Sequence, residues 1–287
     1  MSVDIINAMT VDVEDYFQVS AFEKSISKDD WPHLECRVER NMDTILQLFA
    51  DGGVKATFFM LGWIAERYPK MIKRVVSEGH ELASHGYEHI RVTQQTKDEF
   101  YNDITRTKSL LEDISGEVVN GYRAASYSIG ETNLWALDAL KRAGYLYSSS
   151  IYPIKHDLYG MPDAPRFAFK LHEDAILEFP VTTIEFNRHK FPCGGGGYFR
   201  LFPYAFSKWM MKRVNTYDKE SCIFYFHPWE IDTAQPRQKD ISMKTRFRHY
   251  LNIGRMEGRI TSLIKDFSWD RMDVVFADKI KNHTKAI

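Results

Sequence analysis

Two acidic side chains, Asp12 and Glu14, stand two residues apart in the segment from Thr10 to Asp15. In a β-strand alternate side chains share a face, so both carboxylates would point one way while Val11 and Val13 point the other. Two carboxylates on one face repel each other unless a cation or a proton lies between them. The pair therefore favours a metal or acid–base site, although a polar strand end that leads into a turn would also fit.

Two histidines, His85 and His89, lie four residues apart in the segment Ser-His-Gly-Tyr-Glu-His. Both imidazoles could reach one ion if the chain turns helically after His85. Two histidines and one carboxylate are a common ligand set for a catalytic Zn²⁺ with open positions. The HxxxH spacing alone is a weak signal, and the first-strand acids strengthen it. Strand alternation favours Glu14 over Asp15 as the carboxylate ligand.

Two more polar residues, Arg123 and His227, fall at the ends of predicted strands. His227 follows three aromatic residues, and a histidine that is hydrogen-bonded within the core would fit that position as well. Arg123 fits an ordinary ion pair, or it could hold a catalytic carboxylate in its ionised form. Together with Asp12, Glu14 and His85, these residues make five ionisable groups at strand ends. Barrels of alternating strands and helices place their catalytic groups at that end of the strands.

Segments typical of strands and of helices alternate along the chain. The predicted strands are Ile5–Val13, Lys55–Leu61, Glu81–His85, Val118–Arg123, Leu146–Ser150, Ala175–Phe179, Ser221–His227 and Met272–Ala277. The predicted helices are Val38–Ala50, Ile64–Ser77, Lys97–Ile114, Thr132–Ala143 and a long amphipathic helix over Lys244–Phe267. The alternation predicts a parallel sheet with crossover helices, and about seven such units favour an α/β barrel over an open sheet.

The composition limits the class of protein. The net charge of the 287 residues is −1, from 38 Lys and Arg against 39 Asp and Glu, which argues against nucleic acid as a partner. The cysteines at 36, 193 and 222 form no CxxC pair and fit a reducing compartment. The N-terminus lacks a secretion signal, and no apolar run approaches the ~20 residues of a membrane span. We therefore expect a cytoplasmic protein and leave its oligomeric state open.

Several segments of the chain carry motifs that together resemble one family. The motifs are Thr-Val-Asp-Val-Glu-Asp-Tyr-Phe from Thr10, His-Gly-Tyr-Glu-His from His85, Arg-Ala-Ala-Ser-Tyr-Ser-Ile from Arg123, Glu-Phe-Pro-Val-Thr-Thr from Glu178, Gly-Gly-Gly-Tyr-Phe-Arg from Gly195, Phe-His-Pro-Trp-Glu-Ile-Asp from Phe226 and Arg-Phe-Arg-His-Tyr from Arg246. They resemble the polysaccharide deacetylase superfamily with the NodB homology domain, carbohydrate esterase family 4. The closest resemblance is to deacetylases encoded with exopolysaccharide loci and exosortase systems.

The resemblance implies a distorted (β/α) barrel of seven or eight strands and a divalent metal, usually Zn²⁺. It implies one domain over residues 1–287, in which residues 230–287 are a family-specific helical extension packed on the barrel. The implied roles are Asp12 as general base, Arg123 as the residue that orients it, His227 as general acid, and Glu14, His85 and His89 as metal ligands. Asp15 is the second choice for the metal carboxylate.

The implied reaction removes N-acetyl groups from amino sugars of a polysaccharide or its precursor by a metal-activated water. A backbone N–H near Tyr127 would help to hold the oxyanion. The chain departs from close relatives at Ala125, where they have Pro, and at Ser148, where they have Asp. These departures leave open a weakly active glycan-binding homologue, and an amide hydrolase on a small non-sugar substrate is a second alternative. No Gly-x-Ser-x-Gly motif supports a serine hydrolase.

Aromatic residues suggest where an acetylated glycan would lie. We expect Tyr127, Tyr198 and Trp229 to contact the substrate, because aromatic rings can stack on sugar faces. The glycine-rich segment from Pro192 to Tyr198 should be mobile or should let a ligand approach the backbone, although a plain flexible connector would also fit. Phe247 is expected to pack the long C-terminal helix against the outside of the barrel.

Overall fold

The structure is a computed structural model that describes residues 5–157 and 159–284. Residues 1–4, part of the N-terminus on which the localisation prediction rests, lie outside the described residues. The strands in chain order are β1 (Ile6–Val13), β2 (Thr57–Met60), β3 (Glu81–Ser84), β4 (Gly121–Tyr122), β5 (Tyr147–Ser148), β6 (Leu177–Glu178), β7 (Thr183–Phe186), β8 (His189–Pro192), β9 (Ile223–Phe226) and β10 (Ser268–Asp270).

Strand β1 lies in the middle of the main sheet and has neighbours along both edges. Ala8 pairs with Ile223 of β9 on one edge and with Asp270 of β10 on the other, and β2 continues that second edge from Thr10 onward. All three pairings are parallel. Because both faces of the strand are covered, every residue from Asn7 to Val13 is buried. The acids at the carboxyl end of β1 are therefore held in the interior.

The main sheet runs in the order β10-β1-β2-β3-β4-β5-β6, with β9 beside β1. Across the described ranges it contains eight strands, and it curls into a half-barrel. The predicted α/β fold, a distorted barrel of seven or eight strands, is confirmed. Strands β7 and β8 form a separate antiparallel hairpin.

Helices follow most strands and pack against the sheet. They are α1 (Val38–Gly52), α2 (Gly62–Arg67), α3 (Pro69–Ser77), α4 (Lys97–Ser115), α5 (Trp135–Arg142), α6 (Gly196–Leu201), α7 (Tyr204–Arg213), α8 (Met243–Tyr250), α9 (Met256–Asp266), α10 (Met272–Val275) and α11 (Ala277–Thr284). Helix α4 shows the local signals that fix these elements. Thr96 and Glu99 form a reciprocal capping box at its start, Phe100 and Ile104 face the core, and Gly116 ends it with a left-handed φ of 76°.

The long helix predicted over Lys244–Phe267 is wrong. Asn252 has a left-handed φ of 53°, which an α-helix does not allow, and it separates α8 from a 3₁₀ turn and α9. The side chains of Ile260 and Ile264 are buried as the spacing predicts. Phe247 is 57% exposed, so its predicted packing against the barrel is also wrong.

Two other predicted elements differ from the structure. The strand predicted over Met272–Ala277 is instead helix α10, and the strand lies just before it at Ser268–Asp270. A short apolar run does not distinguish strand from helix by periodicity alone. The helix predicted over Ile64–Ser77 is two helices because Pro69, which has no backbone N–H, begins a new helix.

The predicted C-terminal extension, residues 230–287, supplies β10 to the main sheet as well as helices α8 to α11. Its strand β10 pairs in parallel with the first half of β1, from Ile6↔Ser268 to Ala8↔Asp270. No helix within residues 5–157 and 159–284 is both long enough and apolar enough to cross a membrane.

Two phenylalanines test the corrected packing. Phe199 is 1% exposed and its ring lies edge-on to Phe224 at 4.9 Å between centroids, so we expect Phe199→Ala to lower the free energy of unfolding by about 3–5 kcal/mol. Phe247→Ala removes a largely exposed ring and should change it by no more than about 0.5 kcal/mol. Urea unfolding of both variants measures the difference, and equal losses would contradict this packing.

Candidate active site

The carboxyl ends of β1, β3, β4 and β9 bring the predicted site residues together. His85, Arg123 and His227 each follow the last residue of a strand, and Asp12 lies on β1. The Arg123 guanidinium contacts Asp12 at 2.5 Å, and the Arg123 backbone carbonyl accepts a hydrogen bond from His85 Nδ1 at 2.8 Å. His227 Nε2 lies 3.4 Å from Glu14 Oε1. The structure thus places all five ionisable groups from the strand ends in one cluster.

Asp12 is buried as an ionised carboxylate. Arg123 Nη1 donates to its Oδ1 at 2.5 Å, and the Tyr127 hydroxyl donates to its Oδ2 at 3.2 Å. Burial alone would raise the pKa of Asp12, but the positive charge of Arg123, with smaller contributions from His85 and His227, outweighs burial and lowers it. A carboxylate in this state can accept a proton.

Arg123 is itself fixed by hydrogen bonds on every side of its guanidinium. Besides Asp12, it donates to the Thr10 hydroxyl at 2.8 Å and to the Ser149 carbonyl and hydroxyl at 3.1 and 3.0 Å. Its guanidinium carbon lies 3.9 Å from the centre of the Phe59 ring. With no solvent exposure and no freedom to rotate, Arg123 sets the position of Asp12.

Glu14 has only partial compensation for its buried charge. Trp229 Nε1 donates to its Oε1 at 3.2 Å. Its Oε2 lies 3.1 Å from His89 Nε2 but has no hydrogen-bond partner among the described residues. Burial is the main cause that raises the pKa of Glu14 to about 7. An unpartnered buried carboxylate oxygen beside an imidazole nitrogen indicates a place for a cation.

Asp15 is the second choice for the metal carboxylate. Both of its oxygens accept hydrogen bonds, and Oδ2 accepts them at the start of α1. Its Oδ2 accepts from the backbone N–H groups of Arg37 and Val38 at 2.5 and 2.8 Å and from Cys36 Sγ at 3.0 Å. Its Oδ1 accepts from the Tyr16 N–H at 2.7 Å. A carboxylate at a helix N-terminus stabilises the helix dipole. The geometry therefore favours Glu14 over Asp15 as a ligand.

His85 and His89 meet through a bend and not through the predicted helical turn. Gly86 and His89 have left-handed φ values of 76° and 53°, and the two rings lie 5.3 Å apart between centroids. A carbonyl oxygen can only accept a hydrogen bond, so the proton of the neutral His85 ring is on Nδ1, which donates to the Arg123 carbonyl. The Nε2 atom is then left free for a ligand. Burial lowers the pKa of His85 to about 4 and the pKa of His89 well below its usual value, so both rings are neutral.

One carboxylate and two neutral imidazoles are donors that suit a divalent ion of the zinc class. In a tetrahedral site with bonds of about 2.0–2.2 Å, two ligand atoms lie about 3.3 Å apart. The 3.1 Å between Glu14 Oε2 and His89 Nε2 is close to that spacing. No group of three His, Cys, Asp or Glu side chains in the described ranges is already spaced as metal ligands. The donor chemistry fits an ion, and the three side chains would have to draw closer to complete the set.

His227 is held by a chain of charged groups that sequence reasoning missed. Its Nδ1 lies 2.7 Å from Glu230 Oε1, and Arg200 Nε donates to Glu230 Oε2 at 2.6 Å. Burial would lower the pKa of His227, but the carboxylates of Glu14 and Glu230 outweigh it and raise the pKa to about 9. Burial would raise the pKa of Glu230, but Arg200 and His227 lower it to about 2. The His-x-x-Glu spacing within the motif from Phe226 was the available signal.

Two family models match the chain, one over each half. Residues 25–148 match the family model described as Polysaccharide deacetylase, and residues 149–277 match a domain of unknown function, DUF3473. A peptidoglycan-N-acetylglucosamine deacetylase of Bacillus cereus is 34% identical over 117 residues, which cover 40% of this chain and 41% of that protein. The family model and this relative support the polysaccharide deacetylase family.

Solved structures share the fold at low sequence identity. A Mycobacterium smegmatis protein assigned as a polysaccharide deacetylase superposes with a TM-score of 0.62 at 16% identity, over 99% of this chain and 94% of that one. A CE4 family pseudoenzyme from Bacillus anthracis superposes with a TM-score of 0.50 at 12% identity, over 96% of this chain and 66% of that one. Because a pseudoenzyme has the same architecture, the fold alone does not decide activity.

The buried glycines of the run that begins at Gly194 are explained by close packing in the core, and the predicted mobility or ligand approach at Pro192–Tyr198 stays a prediction. Gly194 to Gly196 are buried, and helix α6 begins at Gly196. A Cβ on Gly194 would lie 2.3 Å from the Ile223 carbonyl oxygen, and one on Gly196 would lie 2.3 Å from Glu230 Oε1. The glycines let this segment approach β9 and the Glu230 carboxylate.

The three aromatic residues predicted to bind substrate occupy different environments. Trp229 is 6% exposed and lies between His227 and His249, so neither ring face is open to a sugar. Tyr127 is also buried and directs its hydroxyl to Asp12; its backbone N–H donates to the Ala124 carbonyl and is not free to hold an oxyanion. Tyr198 is half-buried at the edge of a tyrosine cluster and remains a candidate contact.

The two departures from the family pattern have local explanations. Ser148 shares a hydrogen bond of 2.8 Å with the Ser150 hydroxyl, so this position contributes no carboxylate. Ser148 pairs in the sheet with Glu178, and the carboxylate at hydrogen-bond distance from His227 is that of Glu230. Ala125 begins a short 3₁₀ turn in which Ser126 and Tyr127 have left-handed φ values of 52° and 51°.

A cavity of about 800 Å³ opens beside His89 and was not foreseen from the sequence. The segment from Phe17 to Trp31 forms one wall, and residues 88–90 with Gln94 form another. This volume lies within the ~300–1,000 Å³ that is usual for ligand sites and far exceeds the needs of an acetyl group.

The ion pair behind His227 generates a stability prediction. Arg200→Met would leave the fully buried Glu230 carboxylate without its guanidinium, and we expect a loss of about 3–5 kcal/mol in the free energy of unfolding. Arg74→Met removes a guanidinium that is 40% exposed in its pairs with Asp43 and Glu78, and should cost at most about 1 kcal/mol. Denaturant unfolding of the two variants compares them, and a small loss for Arg200→Met would show that the buried pair is not needed.

Proposed function

We propose that this chain is a metal-dependent hydrolase that removes N-acetyl groups from amino sugars of a polysaccharide or its precursor. The observation that carries the proposal is the ionised, buried Asp12 carboxylate, fixed by Arg123 within one cluster with Glu14, His85 and His227. An acid, a base and a possible ion site within a few ångströms suit the hydrolysis of an amide by water. The match of residues 25–148 to the deacetylase model supports the same reaction.

Asp12 is the general base in this proposal. Arg123 and Tyr127 hold its two oxygens in place, so the carboxylate is oriented before a water arrives. Because Arg123 lowers the pKa of Asp12, the carboxylate is available to accept the proton of the attacking water. A divalent ion, with Zn²⁺ as first candidate, would be held by Glu14, His85 and His89 and would supply Lewis-acid polarisation of the acetyl carbonyl and activation of the water.

His227 is the general acid that donates a proton to the leaving amine. Glu230 accepts from its Nδ1, which fixes the ring and stabilises its protonated form, while Nε2 is on the side of Glu14. Arg200 in turn holds Glu230 and donates to the backbone carbonyls of His249 and Leu251 at 2.9 and 2.7 Å. We infer that Arg200 and Glu230 act through His227 as positioning residues.

The substrate class follows from the cavity and from the relatives. The space beside His89 would accommodate several sugar units, which supports an oligomeric glycan over a small non-sugar amide. We retain the exopolysaccharide-type subclass as a proposal because it rests on the motifs. The free thiols of Cys36, Cys193 and Cys222 suit a reducing compartment, and a cytoplasmic location stays a prediction.

A glycan-binding homologue without activity is the second candidate, favoured by the departures from the family resemblance at Ala125 and Ser148. Binding without turnover would leave acetylated oligosaccharides intact. The two functions therefore differ in a single product, free acetate.

Acetate release tests the proposed reaction directly. The protein loaded with Zn²⁺ should release acetate from N-acetylglucosamine oligomers, and a chelator such as dipicolinate should abolish the release, because the carbonyl and the water would lose their activating ion. Adding Zn²⁺ back should restore it. Oligomers that bind but release no acetate would support the binding homologue, and full activity in chelator would contradict the metal dependence.

The role of Asp12 has its own test. Asp12→Asn keeps an acceptor for Arg123 but removes the base, so we expect turnover to fall by about 10²–10⁴-fold while bound zinc per chain is unchanged. Asp138→Asn changes an acid on α5 that is 58% exposed, and serves as the matched control with normal activity. If Asp12→Asn loses zinc together with activity, Asp12 is a ligand and not the base.

A further inference from the structure

Trp229 is enclosed on both ring faces by histidines. It lies in the 3₁₀ turn Pro228–Ile231 that follows His227, and its ring stacks on His227 at 5.2 Å with an interplanar angle of 16°. On its other face it stacks on His249 at 4.2 Å and 10°. These contacts leave the indole one orientation.

Gln235 holds the stacked rings of Trp229 and His249 in place through two hydrogen bonds. Its Nε2 donates to the Trp229 carbonyl at 2.8 Å, and its Oε1 lies 2.7 Å from His249 Nε2. A carbonyl oxygen can only accept, so the His249 ring donates here. One side chain thus fixes both the backbone of Trp229 and the ring that covers it.

The fixed indole directs its N–H to Glu14. Trp229 Nε1 donates to Oε1 at 3.2 Å, whereas Oε2 receives no hydrogen bond from the described part of the chain and lies 3.1 Å from His89 Nε2. The two oxygens of Glu14 therefore have different roles. Oε1 accepts from the indole and lies 3.4 Å from His227 Nε2, and Oε2 stays free beside an imidazole.

A buried indole N–H does not need an acceptor in this fold. Trp31 is 4% exposed, and its Nε1 has no acceptor among residues 5–157 and 159–284. The bond from Trp229 to Glu14 is thus a specific arrangement, set by the stack and by Gln235.

We propose that Trp229 is a positioning residue that restrains Glu14 Oε1 and thereby presents Oε2, with His89, to the divalent ion. The inference rests on the metal site of the proposed function and replaces the sugar contact expected for Trp229. A neutral donor suits this task because it orients the carboxylate without adding a second positive charge beside that of His227. Hydrogen bonds of this kind to a metal carboxylate typically alter metal affinity 10–100-fold when lost.

The test is zinc affinity, measured by competition with a fluorescent chelator on the metal-free protein. Trp229→Phe keeps an aromatic ring in the stack and removes the N–H, and should raise the Kd for Zn²⁺ by about 10–100-fold. Trp269→Phe removes a buried indole N–H that donates to the Leu263 carbonyl at 3.0 Å outside the site, and its Kd should equal that of the wild type. The melting temperature of each metal-free variant shows that the compared proteins are folded.

The outcomes separate the inference from the proposed function. An unchanged Kd in folded Trp229→Phe, or an equal loss in Trp269→Phe, overturns the positioning role. A wild-type protein that binds no zinc overturns the metal site itself. If Trp229→Phe does not fold, benzothienylalanine at position 229 keeps the shape of the indole without its N–H, and the same rise in Kd is expected.

Discussion

Three carboxylates are buried at the end of one central strand, and the surrounding structure depends on how each charge is compensated. Asp12 is paired with Arg123, and Asp15 caps helix α1 through backbone N–H groups. Glu14, between them, has one neutral donor on Oε1 and no hydrogen bond to Oε2 from the described residues. Uncompensated charge in the interior is unfavourable unless a partner is supplied. Of the three acids, Glu14 is the one whose surroundings suit a cation.

The sequence predicted those acids and the barrel because both follow from strong local patterns. Alternation along β1 put Asp12 and Glu14 on one side, and the ends of parallel strands had to meet. The pairing of His85 with His89 depended on left-handed backbone at Gly86 and His89, which no periodicity reports. Likewise the break at Asn252 and the exposure of Phe247 depend on tertiary context that an amphipathic pattern does not contain.

The glycine run from Gly194 to Gly197 also shows that tertiary context decides what a sequence pattern means. A run of glycines permits flexibility, but it equally permits close packing, and only the neighbours decide which one holds. Gly196 lies where any side chain would collide with Glu230. The glycine run therefore packs directly against the charged groups that hold His227. The residues matched by DUF3473, 149–277, therefore contribute Arg200, Glu230 and His227 to a cluster whose other members, Asp12, Glu14, His85 and Arg123, come from the first half of the chain.

A departure at one motif position need not leave a buried charge of the site without its partner. Ser148 stands where the family resemblance leads one to expect an acid, and its hydroxyl pairs with Ser150. The carboxylate that contacts His227 is that of Glu230, which lies three residues after His227 and is held by Arg200. What an imidazole requires is a charge at hydrogen-bond distance with fixed geometry, and the strand that supplies it is immaterial. A site of this kind is therefore better assessed by whether each buried charge has its partner than by whether each motif letter is retained.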